Sequence, residues 1–320
     1  MTTVDLAPTA WSGRDDGPGA EHLRWHGAVA AFEDRTDSGA GVLIGFRSDE
    51  GVRRNKGRRG AADGPAALRR ALASMSLATP VRLFDAGDVE VVGEDLEGGQ
   101  DRLGSAVTGL LDAGSLVTVL GGGHEVAYGS YLGIANSAAV ASGARLGVLN
   151  LDAHFDLRSD PRPSSGTPFR QMADRETALG RALDYAVLGI AQPSNTAALF
   201  ATATELGVRH LLDDDCTAAN LPAVEAFVED FLDAVDVLYL TIDLDVLPAA
   251  VAPGVSAPAA FGVPLEVIQR VCDLVARSGK LRLLDVAELN PALDVDNRTA
   301  RTAARLIHRI VTTALATRLH

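Results

Sequence analysis

Residues 146–156 read LGVLNLDAHFD: an apolar run, Leu146 to Leu151, that stops abruptly at Asp152, His154 and Asp156. The run is apolar nearly throughout instead of alternating, which is the pattern of a parallel strand covered on both faces. Two carboxylates and an imidazole at the end of a buried strand need something to balance their charge. A divalent metal is the simplest balance. Side chains at positions i, i+2 and i+4 of an extended segment point to one side, so these three can converge on one site.

Two other stretches follow the same grammar. LVTVLGGGHE (116–125) is an apolar strand, a glycine turn and then His124; VLYLTIDLD (237–245) is an apolar strand ending in Asp243 and Asp245. The three strand ends therefore offer His124, Asp152, His154, Asp156, Asp243 and Asp245. An open parallel sheet collects ligands at the carboxyl ends of its strands. Imidazoles and carboxylates without a thiolate suit a hard or borderline ion such as Mn²⁺ better than a structural zinc. Six donors exceed what one ion takes from protein, so the set predicts two ions with bridging carboxylates. A lone Asp after a strand can equally be a helix N-cap, and a lone His after GGG an ordinary turn residue. Three strand ends of one design argue instead for a shared centre.

Outward from this core, strand-like runs recur at 41–46, 81–85, 116–120, 185–190, 208–212, 237–242 and 281–286, which makes eight strands in all. Helical patterns lie at 21–33, from Asp63-Gly64-Pro65 onward, and at 100–113 and 125–140. Others begin near Thr167-Pro168 or cover 194–206, 221–234, 264–278 and 297–317. Asp63 is expected to cap its helix, with Pro65 in the first turn. The βα alternation predicts a parallel sheet with helices on both faces. It leaves two architectures open, a doubly wound sheet and an eight-stranded barrel, because both gather ligands at the carboxyl edge. No linker or internal repeat divides residues 1–320, so one domain is expected, with an irregular arm over 1–20. GDVEVVGED (87–95) is acidic without ligand geometry and is expected at the surface.

Composition narrows the function. The 320 residues are 47% hydrophobic, enough for a sizeable core. A formal charge of −13 and a pI near 4.9 argue against nucleic acid and anionic membranes as partners. No apolar run reaches the roughly 20 residues that span a bilayer, and the first residues lack a signal-peptide pattern. Cys216 and Cys272 stand in no CxxC arrangement, as expected in a reducing cytosol. GGG at 121–123 lacks the nucleotide-binding spacing, and no GxSxG elbow occurs.

GGGHE, NLDAHFDLR and TIDLDVLP resemble the three metal motifs of the arginase/agmatinase (ureohydrolase) family, in order and across nearly the whole chain. The resemblance implies a three-layer α/β/α fold around a central eight-stranded, mostly parallel sheet. It implies two Mn²⁺ ions, one on His124 and Asp156, the other on His154 and Asp245, with Asp152 and Asp243 bridging. The implied chemistry is attack of a metal-bridging hydroxide on an amidine or guanidine carbon, with Asp156 passing a proton to the leaving amine. Glu288, in LRLLDVAELNP (281–291), matches the Glu of the family's EVNP motif, whose role is to pair with the amidinium or guanidinium. A cytoplasmic homo-oligomer is implied as well.

Four segments are similar to one branch of that family, which hydrolyses N-formimidoyl-L-glutamate to L-glutamate and formamide. They are WSGRDD (11–16), GVRRNKGRRGAADGP (51–65), SSGTPFRQ (164–171) and LDVLPAAVAPGVSAPA (244–259). The alternative is a guanidino-acid ureohydrolase, of guanidinobutyrase, arginase or agmatinase type, releasing urea. Ser165 stands where arginases and agmatinases often carry a His, and a serine cannot serve there as a base; this favours a substrate without a guanidino group. A substrate with two carboxylates wants cationic partners, and arginine forks suit them. Arg53, Arg54, Arg58 and Arg170, together with Ser165, are therefore expected to contact substrate. Charge reversal at Arg54 is expected to raise KM far more than it lowers metal content.

Overall fold

The computed structural model describes residues 3–33 and 39–318. Among these, nine strands form one sheet: β1 (Val29–Ala31), β2 (Gly41–Arg47), β3 (Leu83–Glu90), β4 (Leu116–Leu120), β5 (Leu146–Leu151), β6 (Asp184–Ile190), β7 (Arg209–Leu212), β8 (Val237–Asp243) and β9 (Leu281–Ala287). Their order is β1-β3-β2-β4-β9-β8-β5-β6-β7, so the sheet is open, and every neighbouring pair is parallel. Parallel neighbours cannot be joined by a hairpin and need crossovers. The helices supply these: α1 (Trp25–Ala28), α2 (Glu50–Arg54), α3 (Gly64–Ala73), α4 (Leu96–Asp112), α5 (Val126–Ala135), α6 (Ala138–Ala141), α7 (Pro168–Ala178), α8 (Ala197–Glu205), α9 (Leu221–Ala234), α10 (Leu265–Arg277) and α11 (Arg298–Arg318).

The strands are apolar throughout because each face has its own core. In β8, Leu238, Leu240 and Ile242 point into a core built with Leu68 of α3, Phe231 of α9, Val271 of α10 and Ile307 of α11. Val237 and Tyr239 point the other way, toward Leu103 of α4, Val126 of α5 and Met172 of α7. The four central strands are β4, β9, β8 and β5. Their carboxyl ends carry GGGHE, AELNP, DLD and DAHFD, so segments far apart in the chain meet at one edge.

Several elements differ from the sequence expectation. The helix expected over 21–33 is only Trp25–Ala28, and Val29–Ala31 becomes a ninth, edge strand paired with β3. The strand expected at 81–85 runs to Glu90, so GDVE lies in the sheet; Asp88 is compensated there by Arg69 Nη1 at 2.6 Å. The helix expected over 125–140 breaks at Ser137, which turns extended (ψ 152°) while its hydroxyl donates to the Ile134 carbonyl. Asp63 makes no capping bond; its side chain is exposed, 3.7 Å from Arg47. Residues 47–62, expected as a loop, contain α2. No helix among the described residues is long and apolar enough to cross a membrane.

Candidate metal centre

The glycine turn after β4 exists because its surroundings leave no room for a side chain. A Cβ on Gly122 would lie 1.9 Å from the Ser48 carbonyl oxygen. Past this turn, the His124 backbone N–H donates to Glu288 Oε1 at 2.9 Å, and the Glu288 N–H donates to the Gly122 carbonyl at 2.8 Å. The ends of β4 and β9 are thereby locked together. Glu288 and Asp156 both adopt left-handed backbone, with φ 67° and 49°. That conformation is uncommon for residues with a side chain, and such strain clusters at functional sites. Asp152 and Asp243 each fold back on their own loops. Asp152 Oδ1 accepts the His154 N–H at 2.6 Å, and Asp243 Oδ1 accepts the Asp245 N–H at 2.8 Å.

The six expected donors converge. His124 Nδ1 lies 3.1 Å from Asp152 Oδ2, 3.0 Å from Asp156 Oδ2 and 3.2 Å from Asp243 Oδ2. His154 Nδ1 lies 3.2 Å from Asp245 Oδ2 and 3.5 Å from Asp152 Oδ1. Two triads bring ligand atoms within 4.8 Å of one another: His124, Asp152 and Asp243, and Asp152, His154 and Asp245. Asp152 belongs to both. His124 Nδ1 is buried, ringed by three carboxylates, yet makes no hydrogen bond of acceptable angle; Asp245 Oδ1 is likewise buried and unpartnered. Atoms aimed at a common point rather than at each other suit a cation between them. The donors are nitrogen and oxygen only, so the set fits Mn²⁺-like ions.

Electrostatics agree. Burial opposes charge on His124, but Asp152, Asp156 and Asp243 outweigh it and hold the ring protonated well above the ordinary histidine range. His154 is raised likewise, against burial, by Asp245 and Asp152. Asp243 is pushed well up by burial, then by the charges of Asp245 and Asp152. Asp156 is raised by burial and by Asp152. Asp152, despite burial, is held low by the His124 and His154 rings beside it. Without cations, in short, every one of these groups but Asp152 is shifted toward its protonated form.

A cavity of about 340 Å³ opens onto this cluster. His124, His154, Asp156, Asp243, Asp245 and Glu288 form its acidic floor, and Lys56, Arg58, Arg158, Asn55 and Ser165 its basic and polar rim. Glu288 is pushed well above the usual carboxyl range by burial, then by Asp243 and Glu125; a bound cation would reverse that.

The expected substrate arginines fare unevenly. Arg58 lines the cavity, though its Nε and Nη2 donate to the Ser256 and Val255 carbonyls, each at 2.9 Å. Arg53 does not line it: its guanidinium forks onto Glu50 at 2.6 and 2.7 Å and reaches Glu94 at 3.0 Å. Arg54 is walled in, donating to Glu50, to both oxygens of Glu97 and to the Pro163 and Glu94 carbonyls. Arg170 lies on α7, paired one turn on with Asp174 at 2.9 Å, away from the cavity. Ser165 is at the rim, accepting from Asn55 Nδ2 at 3.1 Å.

Sequence reasoning passed over Arg158, which sits two residues beyond Asp156 on the rim and donates to Asn55 Oδ1 at 3.3 Å. The signal was present: NLDAHFDLR ends in it. Asn195 was also missed. Its Oδ1 accepts the Phe155 N–H and its Nδ2 donates to the Ala153 and Ala191 carbonyls, pinning the loop that carries His154 and Asp156. No local pattern marks it, because it acts from another crossover.

Comparison with known proteins gives a consistent picture. The model of the arginase family matches residues 40–312. Formimidoylglutamase of Rhodococcus jostii is 65% identical over 312 residues, covering 98% of each chain. The crystal structure of Trypanosoma cruzi formiminoglutamase with Mn²⁺ is similar at TM-score 0.78 and 27% identity, covering 92% of this chain and 98% of that one. The crystal structure of formimidoylglutamase from Bacillus subtilis is similar in fold at TM-score 0.81 and 24% identity, covering 97% and 96% of the two chains.

Proposed function

The chain belongs to the arginase family, and from that premise we propose that it hydrolyses N-formimidoyl-L-glutamate to L-glutamate and formamide. The observation that carries this reading is the polarity of the cavity: acid at the floor, cations at the rim. An amidine joined to a dicarboxylate is the matching shape of charge. Agmatine, a dication, would meet like charge at the rim.

His124, Asp156, His154 and Asp245 would hold two Mn²⁺ ions, with Asp152, common to both triads, and Asp243 between them. When bound, such a pair lowers the pKa of water and supplies the nucleophile at neutral pH. The chain's own groups do the rest. Glu288, anchored through Oε1 by the His124 N–H, presents its other oxygen to the amidinium and aims the carbon at the floor. Arg158 and Lys56 take the substrate carboxylates, and Asn55 and Ser165 add neutral hydrogen bonds. Addition of water to the amidine carbon gives a tetrahedral centre. Its collapse breaks the bond to the glutamate nitrogen, which leaves only when protonated. Asp156, which lines the cavity, delivers the proton. The carbon departs as formamide. Two buried free thiols, Cys216 and Cys272, suit the reducing cytoplasm, where we place the protein, as a homo-oligomer in keeping with its family.

Product analysis tests this. The Mn²⁺-loaded protein, offered N-formimidoyl-L-glutamate, L-arginine, agmatine and 4-guanidinobutyrate separately, is expected to yield glutamate and formamide from the first and no urea from the others. Urea from a guanidino substrate, with formimidoylglutamate inert, would overturn the substrate while leaving the metal centre standing.

A further inference from the structure

Asp285 is fully buried in β9, yet belongs to neither the six donors nor the cavity lining. It pairs in register with Thr241 of β8, so both side chains leave the sheet on the face covered by α4 and α5. The Thr241 hydroxyl lies 3.0 Å from His124 Nε2. Asp285 Oδ2 accepts from the Tyr239 hydroxyl. Its other oxygen, Oδ1, has no settled partner, and its remaining polar neighbours are the Thr241 and Ser130 hydroxyls. The positive charge of His124, on the far side of Thr241, acts on this carboxylate. A desolvated carboxylate with only hydroxyls for company is costly, and burial pushes its pKa up.

The cost has a chemical use. His124 can turn a lone pair at Nδ1 toward the carboxylates only when Nε2 carries the ring proton. A threonine hydroxyl has one proton to give and lone pairs to accept. An ionised carboxylate only accepts. If Thr241 gives its proton to Asp285, its lone pair is left for the Nε2–H of His124. The charge on Asp285 therefore sets the direction of every proton along the line.

We propose that Asp285 is a positioning residue for the metal centre: through the Thr241 hydroxyl it holds His124 as the Nε2–H tautomer, with Nδ1 free for the ion shared with Asp152, Asp156 and Asp243. The proposal rests on the two-ion reading above. Asp285→Asn tests it, because an amide keeps the shape but can donate to Thr241, which then donates to Nε2 and places the ring proton on Nδ1. Thr241→Val cuts the line, and Thr241→Ser keeps it. The readouts are Mn²⁺ stoichiometry and affinity by calorimetry on the full chain, and the electron paramagnetic resonance spectrum of the bound ions.

Wild type is expected to take two ions with a coupled spectrum. Asp285→Asn and Thr241→Val are expected to bind one of them about 10- to 100-fold more weakly, giving an uncoupled spectrum at limiting Mn²⁺, while Thr241→Ser behaves as wild type. Two ions bound with wild-type affinity in both weakened variants would overturn the proposal. A wild type that binds no Mn²⁺ would overturn the metal reading beneath it. Should Asp285→Asn fail to fold, the Thr241 pair decides.

Discussion

Arg54 and Arg158 carry the same guanidinium and have opposite fates. Arg54 spends its donors on Glu50, Glu97 and two backbone carbonyls, one of them Pro163, and so ties α2 to the loop before α7. Arg158 is exposed on the cavity rim with a single long bond to Asn55. Arg158→Ala is therefore expected to raise KM for formimidoylglutamate about 10- to 100-fold, the equivalent of one charge-assisted hydrogen bond, with the unfolding temperature unchanged. Arg54→Ala is expected to lower the unfolding temperature by a few degrees, its main effect being on stability rather than KM. Steady-state kinetics beside thermal unfolding separate the two. An unchanged KM in Arg158→Ala would remove it from the substrate site.

At the scale of the element, α2 is a five-residue helix that would not persist alone, since isolated helices this short are marginal. It is held by Glu50, buried beneath Arg53 and Arg54, and by Glu125, whose Oε1 accepts the Gly51 N–H at 2.9 Å and the Ser48 hydroxyl at 2.7 Å. The hydrogen bonds from Arg53, and then the one from Arg54, lower the Glu50 carboxyl to about 2 against the opposition of burial. The folded value lies below that of an unfolded Glu, about 4.3. The stabilisation is thus fully present above that value and drains away as pH falls toward 2. Glu50→Gln is expected to cost about 1.5–3 kcal/mol at pH 7, and the gap from wild type to narrow steadily below pH 4.5. Urea unfolding at pH 7, 4 and 3 measures this. A gap independent of pH would show that the ion pair is not what holds α2.

At the scale of the molecule, the donors hang from β4, β5 and β8, with Glu288 after β9 between them, so ions at their ends would clamp the middle of the sheet. Without cations, burial and neighbouring charge shift His124, His154, Asp156 and Asp243 toward their protonated forms. Ion and proton compete for the same atoms. Mn²⁺ binding is expected to release protons, to tighten as pH rises, and to stabilise the fold by about 2.7 kcal/mol per site at a hundredfold excess over Kd. Calorimetry in buffers of different ionisation enthalpy, and unfolding with and without a chelator, read these effects. No proton release and no shift in unfolding would remove the metal from this site.

The periodicity of the chain was enough to place eight of the nine strands and most helices, because a run buried on both faces announces itself locally. The donors were equally legible: charged residues at the ends of apolar runs are anomalous wherever the strands go. Position in the sheet was not legible. That β9 lies between β4 and β8, which lets Glu288 grip the His124 backbone and sets Asp285 beside Thr241, follows from long-range pairing that leaves no mark on either segment. β1 escaped for the same reason, being a three-residue edge defined by its partner. The arginines show the limit most directly. One residue type ended as strut, rim or helix surface according to which acceptors lay within hydrogen-bonding reach, and only the packed structure decides that distance.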